Sequence, residues 1–228
     1  MKGKARLIRW DRSGTIVSGS IDYNSGCLLA DFFRRYSAAS HEMRGFDKSV
    51  SFPTPEEAAD ARLALSLPNT VPLVKLEVQS PDRSQQRYYV VATPVATTYT
   101  PPGRGTRGFE AYGITECKRV YLKDTWRLDL PEYMPEGDTY SRLMKAKVRN
   151  IPQCLIWGDV LDSQYHATKT QSYAGAFWDS PHDDIFLPHR HYRLVLDIVG
   201  RKLTSYKSSF EAVRGIRDCL IGKPALRC

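Results

Sequence analysis

The sequence has no apolar run approaching the length of a membrane span and no cysteine pair in C-x-x-C spacing. A transmembrane helix needs about 20 consecutive, mostly apolar residues, so none is expected. The opening MKGKARLIRWDRSG is basic but carries no continuous apolar core, so it does not read as a secretory signal. The five cysteines, Cys27, Cys117, Cys154, Cys219 and Cys228, are odd in number and widely scattered, which argues against a disulfide framework and for reduced, structural thiols. The expectation is an intracellular chain, in cytoplasm or nucleus, with no membrane partner. The polar excess of a disordered chain is missing too. Of the 228 residues 42% are hydrophobic and 25% charged, enough to build one domain with an extension or two small ones.

The net charge is +8, which favours anionic partners. Basic and aromatic residues interleave at Arg9-Trp10-Asp11-Arg12 and Phe32-Phe33-Arg34-Arg35-Tyr36, a mixture that single-stranded nucleic acid can use. No recognised nucleic-acid motif accompanies them, so both stretches read as amphipathic surface and nucleic acid is not expected as a partner.

Ala5–Trp10 and Thr15–Ser20 flank the turn Asp11-Arg12-Ser13-Gly14 and predict a β-hairpin. Leu28, Leu29, Phe32, Phe33 and Tyr36 recur at helical spacing and predict a helix over 27–38 packed through that stripe. Thr54-Pro55-Glu56-Glu57 has the form of a capping box with proline at the first helical position, and Pro68 should stop that helix. Strands are predicted over Val71–Gln79, Arg87–Thr93, Phe109–Ile114, Lys118–Lys123, Cys154–Val160 and Arg193–Val199, with a helix over Glu136–Lys147. Ser208-Ser209-Phe210-Glu211 opens a last helix whose buried face should hold Phe210, Val213, Ile216 and Leu220, with Gly222 and Pro224 ending it. His182, Asp183, Asp184, His189 and His191 match no tetrahedral ligand spacing and read as a polar surface loop, so no metal site is expected.

The stretch from Gly103 to Lys123 carries the most chemistry. Gly103, Gly105 and Gly108 stand as G-x-G-x-x-G, a spacing that can bring backbone N–H groups against an anion. They lead into a strand rather than opening a helix, unlike a dinucleotide-binding unit. Val120-Tyr121-Leu122-Lys123 then has the shape of the V-A-I-K strand of protein kinases, whose lysine holds phosphates and pairs with a helix carboxylate.

The segments LIRWDRSGTIV, DFFRRYS, GRGTRGFEAY, LKDTWRLD, PEGDTYSRL, HYRLVLDIVGRKLTSYKSS and VRGIRDCL together resemble the fungal-type protein kinase family over nearly the whole chain. The resemblance implies an α+β fold: a protein-kinase-like small lobe, an antiparallel sheet with an αC-like helix, preceded by a family-specific α/β extension. The extension would occupy residues 1–98, the small lobe 99–200, and the exit toward an absent large lobe 201–228. By the same resemblance Gly103, Gly105, Gly108 and Lys123 would face the phosphates of ATP with Mg²⁺. Asp138, ranked ahead of Glu136, would pair with Lys123, and Asp197 and Val199 would offer backbone C=O and N–H to adenine.

Protein kinases also need a catalytic-loop Asp and a D-F-G Asp. Neither occurs here in matching context, since His189-Arg190-His191 lacks the acid of H-R-D. Glu110 stands where a valine covers adenine, and Tyr121 replaces the alanine of V-A-I-K. The expectation is therefore a truncated kinase domain whose family activity is phosphoryl transfer to protein Ser/Thr. Alone it should be inactive, with weak or absent ATP binding and no catalytic residue of its own. A protein substrate or partner is expected, as is self-association through an exposed lobe interface. The alternatives are a pseudokinase or protein-interaction module and, after it, a basic nucleic-acid binder.

Overall fold

The structure, a computed structural model, describes residues 3–97, 100–160, 166–176, 186–201 and 203–221. The predicted N-terminal hairpin forms as two nested antiparallel ladders, β2 (Ile8–Trp10) with β3 (Thr15–Val17) and, outside them, β1 (Lys4–Ala5) with β4 (Ile21–Asp22). Helix α1 (Leu28–Ala38) follows, but none of its residues is buried. The predicted packing stripe is thus corrected: Phe32 stacks on Tyr36 and meets Phe33 edge-on, so these aromatics satisfy one another along the helix.

After β5 (Val50–Ser51) comes α2 (Pro55–Leu65), where the predicted capping box is complete. Thr54 Oγ1 accepts from Glu57 N–H at 3.2 Å and Glu57 Oε2 accepts from Thr54 N–H at 2.8 Å. Strands β6 (Val74–Gln79), β7 (Gln86–Val91), β8 (Arg107–Gly113) and β9 (Lys118–Leu128) run on as a meander. Helix α3 (Glu136–Lys145), β10 (Cys154–Asp159), β11 (His189–Leu196) and α4 (Ser209–Ile221) complete the order. Seven strands form one antiparallel sheet in the order β10-β11-β9-β8-β7-β6-β5. The expected division between residues 98 and 99 falls in the loop joining β7 to β8, within this sheet.

Side chains alternate across the sheet. One face gathers Leu76, Val78, Tyr89, Val91, Phe109, Ala111, Val120, Leu122, Ile156 and Val195 into the main core. The sheet curls around it until β10 reaches β6, where Gly158 lies so close to the Gln79 carbonyl that any Cβ would collide. The opposite face carries α2, whose Ala61 and Leu65 pack with Leu73, Val90 and Tyr112, and also carries α3.

Two predicted boundaries move, for one reason. β9 runs to Leu128 and β11 starts at His189 because Asp124–Leu128 pair with His189–Arg193 in register, so His189 and His191 are buried strand residues rather than surface loop. β11 ends at Leu196, which leaves Asp197 and Val199 beyond it. In α4 the capping serine is present, Ser208 Oγ accepting from Glu211 N–H at 3.2 Å. Of its apolar face, Phe210, Val213 and Ile216 are exposed, in line with the exposed interface expected of this chain alone. Gly222, Pro224, His182, Asp183 and Asp184 lie outside the described residues.

Candidate functional site

On the helix-bearing face of the sheet, β9 presents Tyr121, Lys123 and Thr125. Helix α3 reaches this face through a glycine. The Gly137 N–H donates to the Tyr192 hydroxyl at 2.8 Å, and the Trp157 ring lies where a Cβ on Gly137 would be. That close approach fixes the first turn of α3 and aims Glu136 at β9, where Lys123 Nζ meets Glu136 Oε2 at 2.5 Å. Arg104, from the glycine loop, stands 3.9 Å from the same oxygen. The ranking of Asp138 as the partner of Lys123 is thereby corrected to Glu136. Two residues along a helix turn a side chain through about 200°, so both carboxylates cannot face one strand lysine.

Gly137→Ala should be costly, because its new methyl can be housed only by displacing Trp157 or the end of α3. Overpacking of this kind costs about 1–3 kcal/mol. Urea unfolding of the variant checks it, and an unchanged midpoint would show that α3 docks more loosely.

The glycine loop sits beside this pair but is already bonded. Gly103 N–H donates to Arg12 O at 2.8 Å and Gly108 N–H to Ala96 O at 2.8 Å. Gly105 adopts φ +51 and packs under the Arg12 guanidinium, a place with room for no side chain. Arg12 in turn donates to Thr100 O and Pro101 O at 3.1 and 2.9 Å. The loop's far side is tied to β9 by Trp126 N–H to Arg104 O at 2.8 Å and by the Thr106–Thr125 hydroxyl pair at 2.8 Å. The Tyr121 ring lies over Gly108, with its phenol pushed above its ordinary pKa by burial and by the Glu136 charge. Glu110, on the same face, pairs with Arg119 at 2.6 Å. Asp197 closes the other end of the region, accepting from Gln153 N–H at 2.8 Å through its carboxylate and donating to Gln153 O at 3.0 Å. Val199 follows it outside any strand.

A second polar cluster, of which the sequence had offered only His191 and that as surface loop, lies at the mouth of the curled sheet. Here a cavity of about 1060 Å³ is lined by Arg12, Asp47, Asp124, Trp126, His166 and Arg193 among others. Arg193 is 1% exposed and donates to Asp124 at 3.0 Å, Asp47 at 2.9 Å, Ser49 Oγ at 2.7 Å and Glu77 O at 2.7 Å. His191 Nε2 lies 2.6 Å from Asp124 Oδ1, its ring stacked on Trp126, and His191 Nδ1 lies 3.1 Å from His166 Nδ1. The signal that could have found it was the period of two in His189, His191, Arg193 and Val195, which puts these residues on one face of a strand.

A mixed α/β fold with an antiparallel sheet and helices is consistent with a kinase-like domain. A family model described as fungal protein kinase matches residues 1–175 of the 228, and the chain belongs to that family. Neither a curated protein nor a solved structure matches the chain. Kinases of this kind generally use ATP with Mg²⁺ and act on proteins. No helix among the described residues is long and apolar enough to cross a membrane.

Proposed function

We propose that this chain is the nucleotide-facing part of a fungal-type protein kinase, with phosphoryl transfer to protein Ser/Thr as the family activity, and that alone it transfers no phosphate. The observation that carries the reading is the Lys123–Glu136 pair at 2.5 Å beside the glycine loop. ATP supplies the phosphoryl group and Mg²⁺ neutralises charge on it. Lys123, held in place by Glu136, and Arg104 beside it fit the phosphates of such a ligand. The base side fits less well, because the Tyr121 ring covers Gly108 and the Glu110–Arg119 pair occupies the neighbouring positions of the same face. Gly103 and Gly108 contribute through loop shape, since their amides already have partners. Asp197 and Val199 remain the proposed adenine edge, just past β11.

ATP should therefore bind with affinity no better than about millimolar, about −4 kcal/mol, with little Mg²⁺ dependence. Titration calorimetry with and without Mg²⁺ is the measurement, alongside a radiolabel transfer assay expected to read zero. Tight, Mg²⁺-dependent binding abolished by Lys123→Ala would replace this reading with a nucleotide-sensing pseudokinase. Transfer lost in Lys123→Met would show that catalytic groups have been misassigned.

A protein-interaction module is the second reading, favoured by the exposed Phe33 and Tyr36 on α1 and Phe210 and Val213 on α4. It predicts concentration-dependent association, which sedimentation would register. A monodisperse monomer at high concentration would count against it.

A further inference from the structure

The cluster at the mouth of the curled sheet brings two imidazoles and a carboxylate to within 4.8 Å of one another. Among its groups in hydrogen-bond contact, two carboxylates, Asp47 and Asp124, face one guanidinium, Arg193. His166, His191 and Arg193 are all buried there, and Arg12 lines the same cavity. His191 is held through Nε2 by Asp124, so its N–H belongs there and its Nδ1 lone pair points toward His166. An imidazole fixed by a carboxylate behind it is how histidines are oriented toward metals.

We infer that Asp47, His166 and His191 form a binding site for a divalent transition-metal ion of the zinc class, with Asp124 positioning His191. The two Nδ1 atoms are 3.1 Å apart. Two ligands of one tetrahedral zinc, each at 2.0–2.1 Å from it, are separated by about 3.3 Å. Asp47 Oδ2 lies 4.0 Å from His191 Nδ1, and the candidate ligand atoms of all three residues lie within 4.8 Å of one another. Asp47 accepts from Arg193 through Oδ2 at 2.9 Å and from Ser49 N–H through Oδ1 at 2.8 Å, so it would join the two imidazoles as third ligand by a shift of its loop. The nitrogen and oxygen donor set suits Zn²⁺, Co²⁺ or Fe²⁺ better than Mg²⁺ or Ca²⁺, which prefer all-oxygen shells. The adjoining cavity leaves the remaining coordination position to water or a small anion.

The three ligands come from distant parts of the chain: the loop before β5, the segment after β10, and β11. Metal here would staple the N-terminal region to the sheet. Its ligands lie on the core side of the sheet, opposite the Lys123 face, and metal binding is read separately from nucleotide binding.

The full chain is treated with a chelator, then titrated with Zn²⁺ and, separately, Co²⁺, following heat of binding, the Co²⁺ visible spectrum and the thermal midpoint. X-ray absorption is recorded on the Zn²⁺-loaded wild type. One equivalent should bind, raise the thermal midpoint, show two imidazoles plus oxygen ligands and no sulfur, and weaken at least about tenfold in His166→Gln. The absorption measurement needs no variant, so it decides the matter even if His166→Gln fails to fold. No saturable binding would overturn the inference. Thiolate ligation by the exposed cysteines, fewer than two imidazoles, or binding unchanged in a folded His166→Gln would overturn it as well.

Discussion

Arg193→Met is expected to lower the unfolding free energy by about 3–5 kcal/mol, the range seen when one partner of a buried ion pair is removed. The side chain is 1% exposed, and its donors reach Asp124 on β9, Glu77 O on β6, and Asp47 and Ser49 ahead of β5. It therefore joins strands that are not neighbours in the sheet and holds the curl closed. Asp47 carries the same signature. Burial pushes its carboxyl pKa up, but the Arg193 charge and the Ser49 hydrogen bonds outweigh this and hold it below the usual range. Methionine nearly matches the arginine stem in length yet leaves the two carboxylates without the guanidinium that bonds both. The penalty comes from those orphaned acids, so adding Asp124→Asn should cost less in the Arg193→Met background than in the wild type. Urea unfolding of the four proteins of this cycle measures it. A loss under about 1 kcal/mol for Arg193→Met, or strict additivity, would show that the guanidinium is not the clamp.

The parts that could be read in advance were those where local chemistry and burial agree. Thr54 and Glu57 satisfy each other within one turn, and alternating Val74, Leu76 and Val78 can bury only one way. The position of Lys123 on a strand was legible from Val120-Tyr121-Leu122-Lys123, and β9 contains it. Its partner was not, because choosing between Glu136 and Asp138 depends on the rotation of α3, set from afar by Trp157 and Tyr192 against Gly137. The same limit hid the histidine cluster. Asp47, His166 and His191 are scattered along the chain and only the curl brings them together. Histidine and arginine alternating on a strand look like loop until their buried partners across the ladder are known. The apolar stripe of α1 was read correctly as a helix but wrongly as packed, since periodicity records which residues share a face and says nothing of what covers it.

Asp11 gives the other large effect, and one that depends on pH. Its turn looked like an ordinary hairpin connection, yet its carboxylate is a junction. Oδ1 accepts from Ser13 N–H at 2.9 Å and Gly14 N–H at 3.3 Å, which shapes the turn. Oδ2 accepts from Lys169 N–H at 2.8 Å and Thr170 N–H at 2.9 Å, which ties the hairpin to the segment after β10. Ser13 reinforces the tie through Thr168 Oγ1 at 2.7 Å. With the side chain 14% exposed, removing the acceptor strands several donors, and Asp11→Ala should cost about 3 kcal/mol. Asp11→Asn separates the two functions. Its remaining oxygen can keep the turn, but its NH₂ must face the Lys169 and Thr170 amides, donor against donor. Hydrogen exchange at those two amides should therefore accelerate in Asp11→Asn while the turn amides of Ser13 and Gly14 stay protected. The pH dependence follows from the carboxylate. Burial pushes its pKa up, and the amide donors outweigh that and leave it lowered. A lowered folded pKa means that the stabilisation is complete above the unfolded value, about 3.9, and is lost as pH falls through the folded value. The stability gap between wild type and Asp11→Ala should thus be full at about pH 6 and narrow steadily below about pH 4. Paired denaturation curves across that range decide it. A gap that stays constant into acid would mean that the carboxylate's charge contributes nothing to the junction.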